Sequence, residues 1–349
     1  MIFRFVADSF EVKNLLKSYI KLLNFLAMPL SLMLLASNAF ANTDITDVYN
    51  LAKSIENSLK SANNMEAKFS KQPITQMAKP RNVYEKALSV VEEFGALYPG
   101  SIDIVTHKKM QGLEVSDVKA LDIYNVLSLI KNYFVYKKLF REYSGSGEEK
   151  TASDVFQMLR SITHHHVVIA KQKNIEVDWA TPSRVYIANV TELVPILYAL
   201  AQNDGITYER YGFPMNPQQD IKPRHVYVLL QMTYNRMSDY YQETTDYFPI
   251  LLDDIENLDS ITPGDVFDLT KILTGELKAL SGSINSFDME LSLRHANWRK
   301  EKNSIGPGDV YPLIQHAFNL VKSLADAVEN VDVTLSKSMT DEITKVSQL

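Results

Sequence analysis

The chain of 349 residues contains no cysteine. This absence excludes disulfide bonds, cysteine metal ligands, thiol redox chemistry and cysteine nucleophiles. Stability therefore has to come from packing, and a chain of this length can bury a substantial core.

An excess of positive charge is also missing, because 36 basic residues stand against 42 acidic ones and give a formal net charge of −6. Nucleic acids require a basic surface, so we expect no nucleic-acid partner. The common catalytic signatures are absent too, including G-x-S-x-G, the P-loop, G-x-G-x-x-G after a strand and H-E-x-x-H. With few Gly and Pro and 46% hydrophobic residues, the composition indicates a folded protein.

The first 41 residues have the layout of a secretory signal peptide. Lysines precede an apolar run (22–36), and the small residues Ala39 and Ala41 follow it in an A-x-A pattern. An N-terminal membrane anchor is the alternative, but the run is shorter than the ~20 residues that span a bilayer. We expect cleavage after Ala41, no transmembrane segment in the mature chain, and a periplasmic or secreted protein. Cleavage removes four basic and two acidic residues, which changes the net charge to −8.

A Val or Ile followed by Tyr or Phe recurs eight times, at intervals of 30 to 44 residues. The pairs begin at Val48, Val83, Ile123, Val155, Val185, Val226, Val266 and Val310. Counted from this residue as position 0, positions +3 and +11 are apolar in seven copies each and position +7 in six. Apolar residues at 0, 3, 7 and 11 form one stripe of an α-helix. The aromatic at +1 widens the stripe, so we expect each helix to contact two neighbours.

The sequence therefore predicts an all-α protein, a helical-repeat array of about eight divergent units of 30 to 44 residues. We expect one domain, residues 42–349, arranged as an α-solenoid or as a large irregular helical bundle. The period is similar to that of tetratricopeptide and other α-solenoid arrays. The tetratricopeptide residue pattern is absent in register, so the likeness implies no functional residue.

A related hexapeptide precedes many of these helices, as in TPSRVY at Thr181, TPGDVF at Thr262 and GPGDVY at Gly306. Thr is a good N-cap, and Pro fits the first helical position, where its missing N–H costs nothing. Asp at the third helical position complements the positive end of the helix dipole. We interpret the hexapeptide as a helix-start signal rather than a ligand-binding loop.

The segment THHHVV is the one stretch that suggests a metal. His164 and His165 fall at +9 and +10, where we expect a polar face, whereas His166 falls at +11, which is apolar in every other copy. Consecutive helical residues point about 100° apart, so the three imidazoles cannot all bind one ion from an intact helix. A buried, hydrogen-bonded histidine is the structural alternative. His166 and His165 are the candidate metal ligands, and pH sensing is a further possibility. We expect no other cofactor.

Two more residues break the stripe, Lys86 at +3 and Glu192 at +7. A partly exposed helix is the simplest explanation for each, and burial of both would make them site candidates. Other binding candidates are Tyr186 and Tyr227, from the aromatic positions at +1, and Asn235, one of four asparagines at +9. The structural alternatives are a core position for the tyrosines and helix-to-helix hydrogen bonding for the asparagine.

These observations favour an exported, non-enzymatic binding or scaffold protein of the bacterial cell envelope, with a protein or peptide partner. The alternative is a periplasmic sensor that binds a small ligand or a metal at His166. A third hypothesis is an enzyme whose site is assembled from separate units and has no linear motif.

Overall fold

A computed structural model describes residues 43–66, 69, 78–102, 117–177, 181–244, 258–281 and 288–346. These residues contain helices and no strands, which confirms the all-α class. The signal-peptide prediction for residues 1–41 lies outside the described residues. The helices are α1 (Ile45–Ala62), α2 (Pro80–Leu97), α3 (Ala120–Tyr136), α4 (Ala152–Gln172), α5 (Pro182–Asn203), α6 (Pro223–Thr244), α7 (Pro263–Ser281), α8 (Met289–Glu301) and α9 (Pro307–Val346).

All eight predicted helix starts are confirmed. In α1 to α7 and in α9, the Val or Ile at position 0 is the fourth residue of the helix and is at most 2% exposed. Helix α8 was not predicted. Only Leu291 and Trp298 are buried on it, so its sequence carries no continuous apolar stripe.

The start signal works through capping. In α3, α4, α7 and α9, the carboxylate of the Asp at the third helical position accepts a bond from the backbone N–H of the N-cap residue. Thr151 and Thr262 return the bond, because their hydroxyls accept from the backbone N–H of Asp154 and Asp265. The side chain of Thr181 makes no such bond to α5.

The eight helices with a start signal pack as two rings of four. Helices α1 and α2 each pack against both α3 and α4, and these four form the first bundle. Helices α5 and α6 each pack against both α7 and α9, and these four form the second bundle. The order around both rings is the same. In each ring the first two helices in chain order lie diagonally opposite each other, and so do the last two. Each helix thus has two main neighbours within its ring.

Within each bundle the helices run parallel. In the second bundle, the four starting turns meet at one end, where they line a common apolar depression. In the first bundle, Ala78 N donates to Ser153 Oγ (2.9 Å) at the start of α2 and α4, and the rings of Phe94 and Phe134, at +11 in α2 and α3, lie 5.5 Å apart. When consecutive helices are parallel, the connector must run from the end of one helix back to the level at which the next helix starts.

The connector from α3 to α4 shows how this return is made. An 18-residue helix is about 27 Å long, and about 8 extended residues cover that distance. The segment runs back along α1, where backbone N–H groups of Arg141, Tyr143 and Lys150 donate to side chains at Ser58, Ser54 and Thr46. Hydroxyl groups on the outer face of α1 therefore satisfy backbone donors that have no helical partner.

Helix α5 contains a π-helical turn, Asn189–Leu193, between two α-helical parts. Pro195 has no N–H to offer the carbonyl of residue 191, so the regular ladder is interrupted there. The turn shifts the apolar stripe of α5 by one residue, so Leu193 rather than Glu192 occupies the buried position. This is the reason that Glu192 breaks the apolar stripe.

Helix α5 is also long and apolar enough to span a membrane by length and composition, although 72% of the relevant window is buried inside the protein. It packs against α7 and α9 in the second bundle.

Candidate functional site at the seam between the bundles

Both predicted metal ligands lie inside the first bundle and are fully buried. His166 Nδ1 lies 3.0 Å from Glu93 Oε2 of α2, and His165 Nε2 lies 3.1 Å from Glu56 Oε1 of α1. The expectation that His165 faces a polar surface is wrong. Ser161 also donates to Glu56 (2.6 Å), so α4 contacts both of its neighbours through buried polar groups.

The two histidines bond different carboxylates on different helices. Among the residues that the structure describes, no group of three His, Asp or Glu side chains is placed to hold a metal ion. Burial alone would raise the pKa of Glu56, but the hydrogen bond with His165 and the contact with Lys53 outweigh it and lower that pKa below its usual range. Metal binding at His165 and His166 stays a prediction.

The other binding candidates occupy different surroundings. Tyr186 is fully buried and stacks on Trp298 of α8, with ring centres 4.8 Å apart. Burial raises its pKa, and Tyr211 nearby adds to the effect. Tyr227 is also fully buried, whereas Asn235 is exposed on α6. The structure does not bring these three side chains into one site.

The two bundles meet through charged side chains, at a surface that we call the seam. It consists of α2 and α4 of the first bundle and α5 and α7 of the second. Helices α2 and α7 run antiparallel across it. Six basic and six acidic side chains pair here: Arg81, Lys86, Arg160, Arg184, Lys271 and Lys278 with Glu85, Glu92, Glu192, Asp265, Asp268 and Glu276.

Most of these groups are buried. Glu276 is fully buried and accepts two bonds from the guanidinium of Arg81 (2.8 Å each) and one from the amide of Asn82 (2.8 Å). A bidentate arginine of this kind is among the stronger charge-assisted contacts.

Lys86 is only 1% exposed, so the interpretation that it marks a partly exposed helix is wrong. Its Nζ donates to Asp268 (2.6 Å), which also receives a bond from Arg160 of α4 (3.2 Å). Arg160 in turn donates to Asp265 (2.7 Å), the capping residue of α7. One buried cluster thus connects α2, α4 and the start of α7.

A second cluster centres on Glu85, which lies between Lys271 (2.9 Å) and Lys278 (2.8 Å). Burial alone would raise the pKa of Glu85, but the two lysines outweigh it and hold the pKa at about 2. Burial alone would lower the pKa of Lys271, but the negative charges of Glu192 and Glu85 outweigh it and raise that pKa above its usual value. Glu192, which the π turn directs away from the core, accepts from Lys271 at 2.7 Å.

The first bundle carries a separate surface feature, which we call the tyrosine cleft. This cavity of about 550 Å³ lies at the ends of α2 and α3 and is lined by Tyr98, Tyr133, Tyr136 and Lys137, among others. Lys173 Nζ lies 3.9 Å from the ring centre of Tyr98. Tyr136 is 80% exposed, an unusual position for a large aromatic side chain. The apolar stripe gave no signal for this cleft, because Tyr98, Tyr136 and Lys137 lie beyond position +11 and Tyr133, at +10, lies off the stripe. The asparagines at +9 gave a partial signal, because Asn132 also lines the cleft.

Comparison with known proteins adds no relative. No protein-family model, no curated protein and no solved structure matches the chain.

Proposed function

We propose that this protein is an exported, non-enzymatic binding or scaffold protein of the bacterial cell envelope, built from about eight divergent helical repeats. The tyrosine cleft is the observation that carries the proposal, because it exposes aromatic and basic groups together on an otherwise acidic protein. The partner is a protein segment that combines acidic and apolar side chains.

The export part of the proposal rests on the order of basic, apolar and small residues before position 42. N-terminal sequencing of the protein from the native envelope is expected to start at Asn42. A chain that starts at or near Met1 in that fraction would contradict export by cleavage.

The repeat part rests on two features that recur together. Each unit starts with the same turn and buries its Val or Ile at the fourth helical residue. The helices of units one to four and those of units five to eight also form rings with the same order of neighbours. A pair of four-repeat rings accounts for both features, and it favours a closed bundle arrangement over an open solenoid.

The partner chemistry follows from the cleft. Tyrosine is enriched at protein interfaces because its ring offers a large apolar area and its hydroxyl a polar group. Lys137 Nζ lies 5.4 Å from the ring centre of Tyr136 and 5.8 Å from that of Tyr133. The neighbouring segment adds Lys131, Lys138 and Arg141 against one acidic residue, Glu142. A basic and aromatic surface of this kind attracts acidic segments and buries their apolar side chains.

Site-specific photo-crosslinking tests the proposal. A photoreactive amino acid at Tyr136 is expected to capture one protein stoichiometrically from the native envelope, whereas the same label at Met232, 49% exposed on α6, captures none. Lys137→Glu is expected to weaken capture from Tyr136 by reversing the charge. Equal capture at both positions, or capture that Lys137→Glu leaves unchanged, would contradict a binding role for the tyrosine cleft.

A further inference from the structure

A second cleft lies within the seam, between α2 of the first bundle and α5 and α7 of the second. Its volume is about 320 Å³, in the range of pockets that hold small ligands. Leu88, Ile187 and Phe267 supply apolar walls, and six charged side chains line the rest. Junctions between structural units are a preferred location for small-molecule sites.

The charged groups form an inner pair and a rim. Glu85 and Lys271, the inner pair, are 2% and 7% exposed and lie 2.9 Å apart. The rim consists of the pairs Arg184–Glu92 (2.5 Å) and Lys278–Glu192 (3.3 Å), whose side chains are between 24% and 37% exposed. Ion pairs exposed to this degree contribute little stability. A ligand with charged groups of its own can therefore replace one member of the Arg184–Glu92 pair at small cost. Lys278 and Glu192 can bind it while they keep their bonds to the inner pair, Glu85 (2.8 Å) and Lys271 (2.7 Å).

Two irregular features converge on this cleft. The π turn of α5 places Glu192 in it, at the cost of an irregular helix, and π turns occur frequently at functional sites. Arg184 Nε is buried and has no hydrogen-bond partner in the described part of the chain. A ligand in the cleft can complete this contact when the partly exposed Arg184 side chain turns toward it.

We propose that this cleft binds a small zwitterion, a free amino acid or a short peptide. The lining contains three basic and three acidic side chains, so it carries no net charge. A ligand of one sign would leave a charge uncompensated beside the buried Glu85–Lys271 pair, whereas a zwitterion brings one group of each sign. The ligand carboxylate binds Arg184 and Lys278, its ammonium group binds Glu92 and Glu192, and Phe267 contacts its apolar part.

Calorimetric titration of the intact mature protein with individual L-amino acids and dipeptides tests this proposal. For the best binder, the matched amine without a carboxylate and the matched acid without an amino group are each expected to bind at least about tenfold more weakly, because each loses one charge-assisted contact. Absence of heat for every probe at about 1 mM, or equal binding by either analogue, would overturn the proposal.

Matched variants locate the site. Arg184→Met is expected to weaken binding by about ten- to a hundredfold. Arg210→Met, which removes a similarly exposed arginine paired with Asp288 outside the cleft, is expected to leave it unchanged. Glu192→Gln neutralises a rim carboxylate without a change of size and is also expected to weaken binding. It tests the site independently if Arg184→Met does not fold. Equal losses in Arg210→Met and the cleft variants, or none in either cleft variant, would contradict the assignment.

Discussion

In the first bundle, two buried histidines face glutamates from neighbouring helices, whereas His316 of the second bundle and His295 of α8 contact aromatic rings. His166 pairs with Glu93 at 3.0 Å. His316 of α9 instead lies 2.9 Å from the hydroxyl of Tyr198, and His295 of α8 stacks near Tyr186. Histidine thus contacts carboxylates in the first bundle, where His166 also lies 6.0 Å from the ring centre of Phe94, and aromatic groups in the second bundle and α8.

The two bundles differ in which segments of the chain supply these buried side chains. The histidine and glutamate pairs of the first bundle come only from helices that begin with the start signal. The aromatic cluster of the second bundle draws on Tyr211 and Phe213 from the connector between α5 and α6, and on His295 and Trp298 from α8. The second bundle thus adds aromatic side chains from a connector and from α8 to its packing, whereas these polar pairs of the first bundle lie on its four main helices.

The largest expected effect follows from breaking the His166–Glu93 pair. His166→Ala leaves a buried carboxylate without its partner and is expected to lower the free energy of unfolding by about 3–5 kcal/mol, measured by urea denaturation. The double variant His166→Leu/Glu93→Leu gives the first bundle an apolar layer like Leu277 in the second, and is expected to recover most of that loss. A double variant as unstable as His166→Ala would contradict the pairing.

Next in size is removal of the seam contact at Glu276. Glu276→Ala leaves Arg81 without its bidentate partner and is expected to cost about 3 kcal/mol. Because the bundles meet mainly through such pairs, we also expect the unfolding transition to split into two as the bundles lose their coupling. Circular dichroism and tyrosine fluorescence would then give different midpoints. A single, equally steep transition would show that the seam does not couple the bundles.

Mild acid is expected to affect the second bundle through His316. Burial lowers the pKa of His316 to about 4, below the value of about 6.5 in an unfolded chain. The unfolded state therefore binds a proton that the folded state does not, and stability falls as the pH decreases from about 6.5 to about 4. His316→Gln is expected to reduce this slope in urea denaturation. An unchanged slope would mean that His316 is not its source.

The smallest expected effects on stability distinguish the start of α4 from the start of α5. Thr151→Ala removes a cap bond to α4 and is expected to cost about 1 kcal/mol. Thr181 makes no cap bond to α5, so Thr181→Ala removes no cap bond and is expected to cost less than Thr151→Ala. Differences in thermal midpoint between the two variants check this, and equal losses would contradict the capping assignment.

The helix starts could be predicted from the sequence because they depend on neighbouring residues. A cap, a proline and an acidic third position act within one turn, and the buried Val at position 0 follows directly. The closure of the rings could not be predicted, since it depends on contacts between residues far apart in the chain. Helix α8 was missed for a related reason, because it is held mainly by the stacking of Trp298 and carries no apolar stripe.

The candidate site could be predicted only in part. The apolar stripe singled out Lys86 and Glu192, and both lie at the seam, yet the stripe alone could not distinguish an exposed helix face from a buried charged contact. Pro195 could have indicated the irregular turn that moves Glu192. The carboxylates opposite Lys86 and His166 could not have been found, because Asp268 and Glu93 occupy ordinary polar positions of their own helices.

Distance measurements between spin labels test the parallel arrangement most directly, and the natural absence of cysteine makes labelling straightforward. Exposed Asp47 and Asn125 lie near the starts of α1 and α3, and exposed Lys137 follows the end of α3. A helix of this length spans about 25 Å, so the distance from Asp47 to Asn125 is expected to be shorter than that from Asp47 to Lys137 by about 10 Å or more. The reverse order of distances would mean that α1 and α3 run antiparallel, and it would contradict the account of the fold.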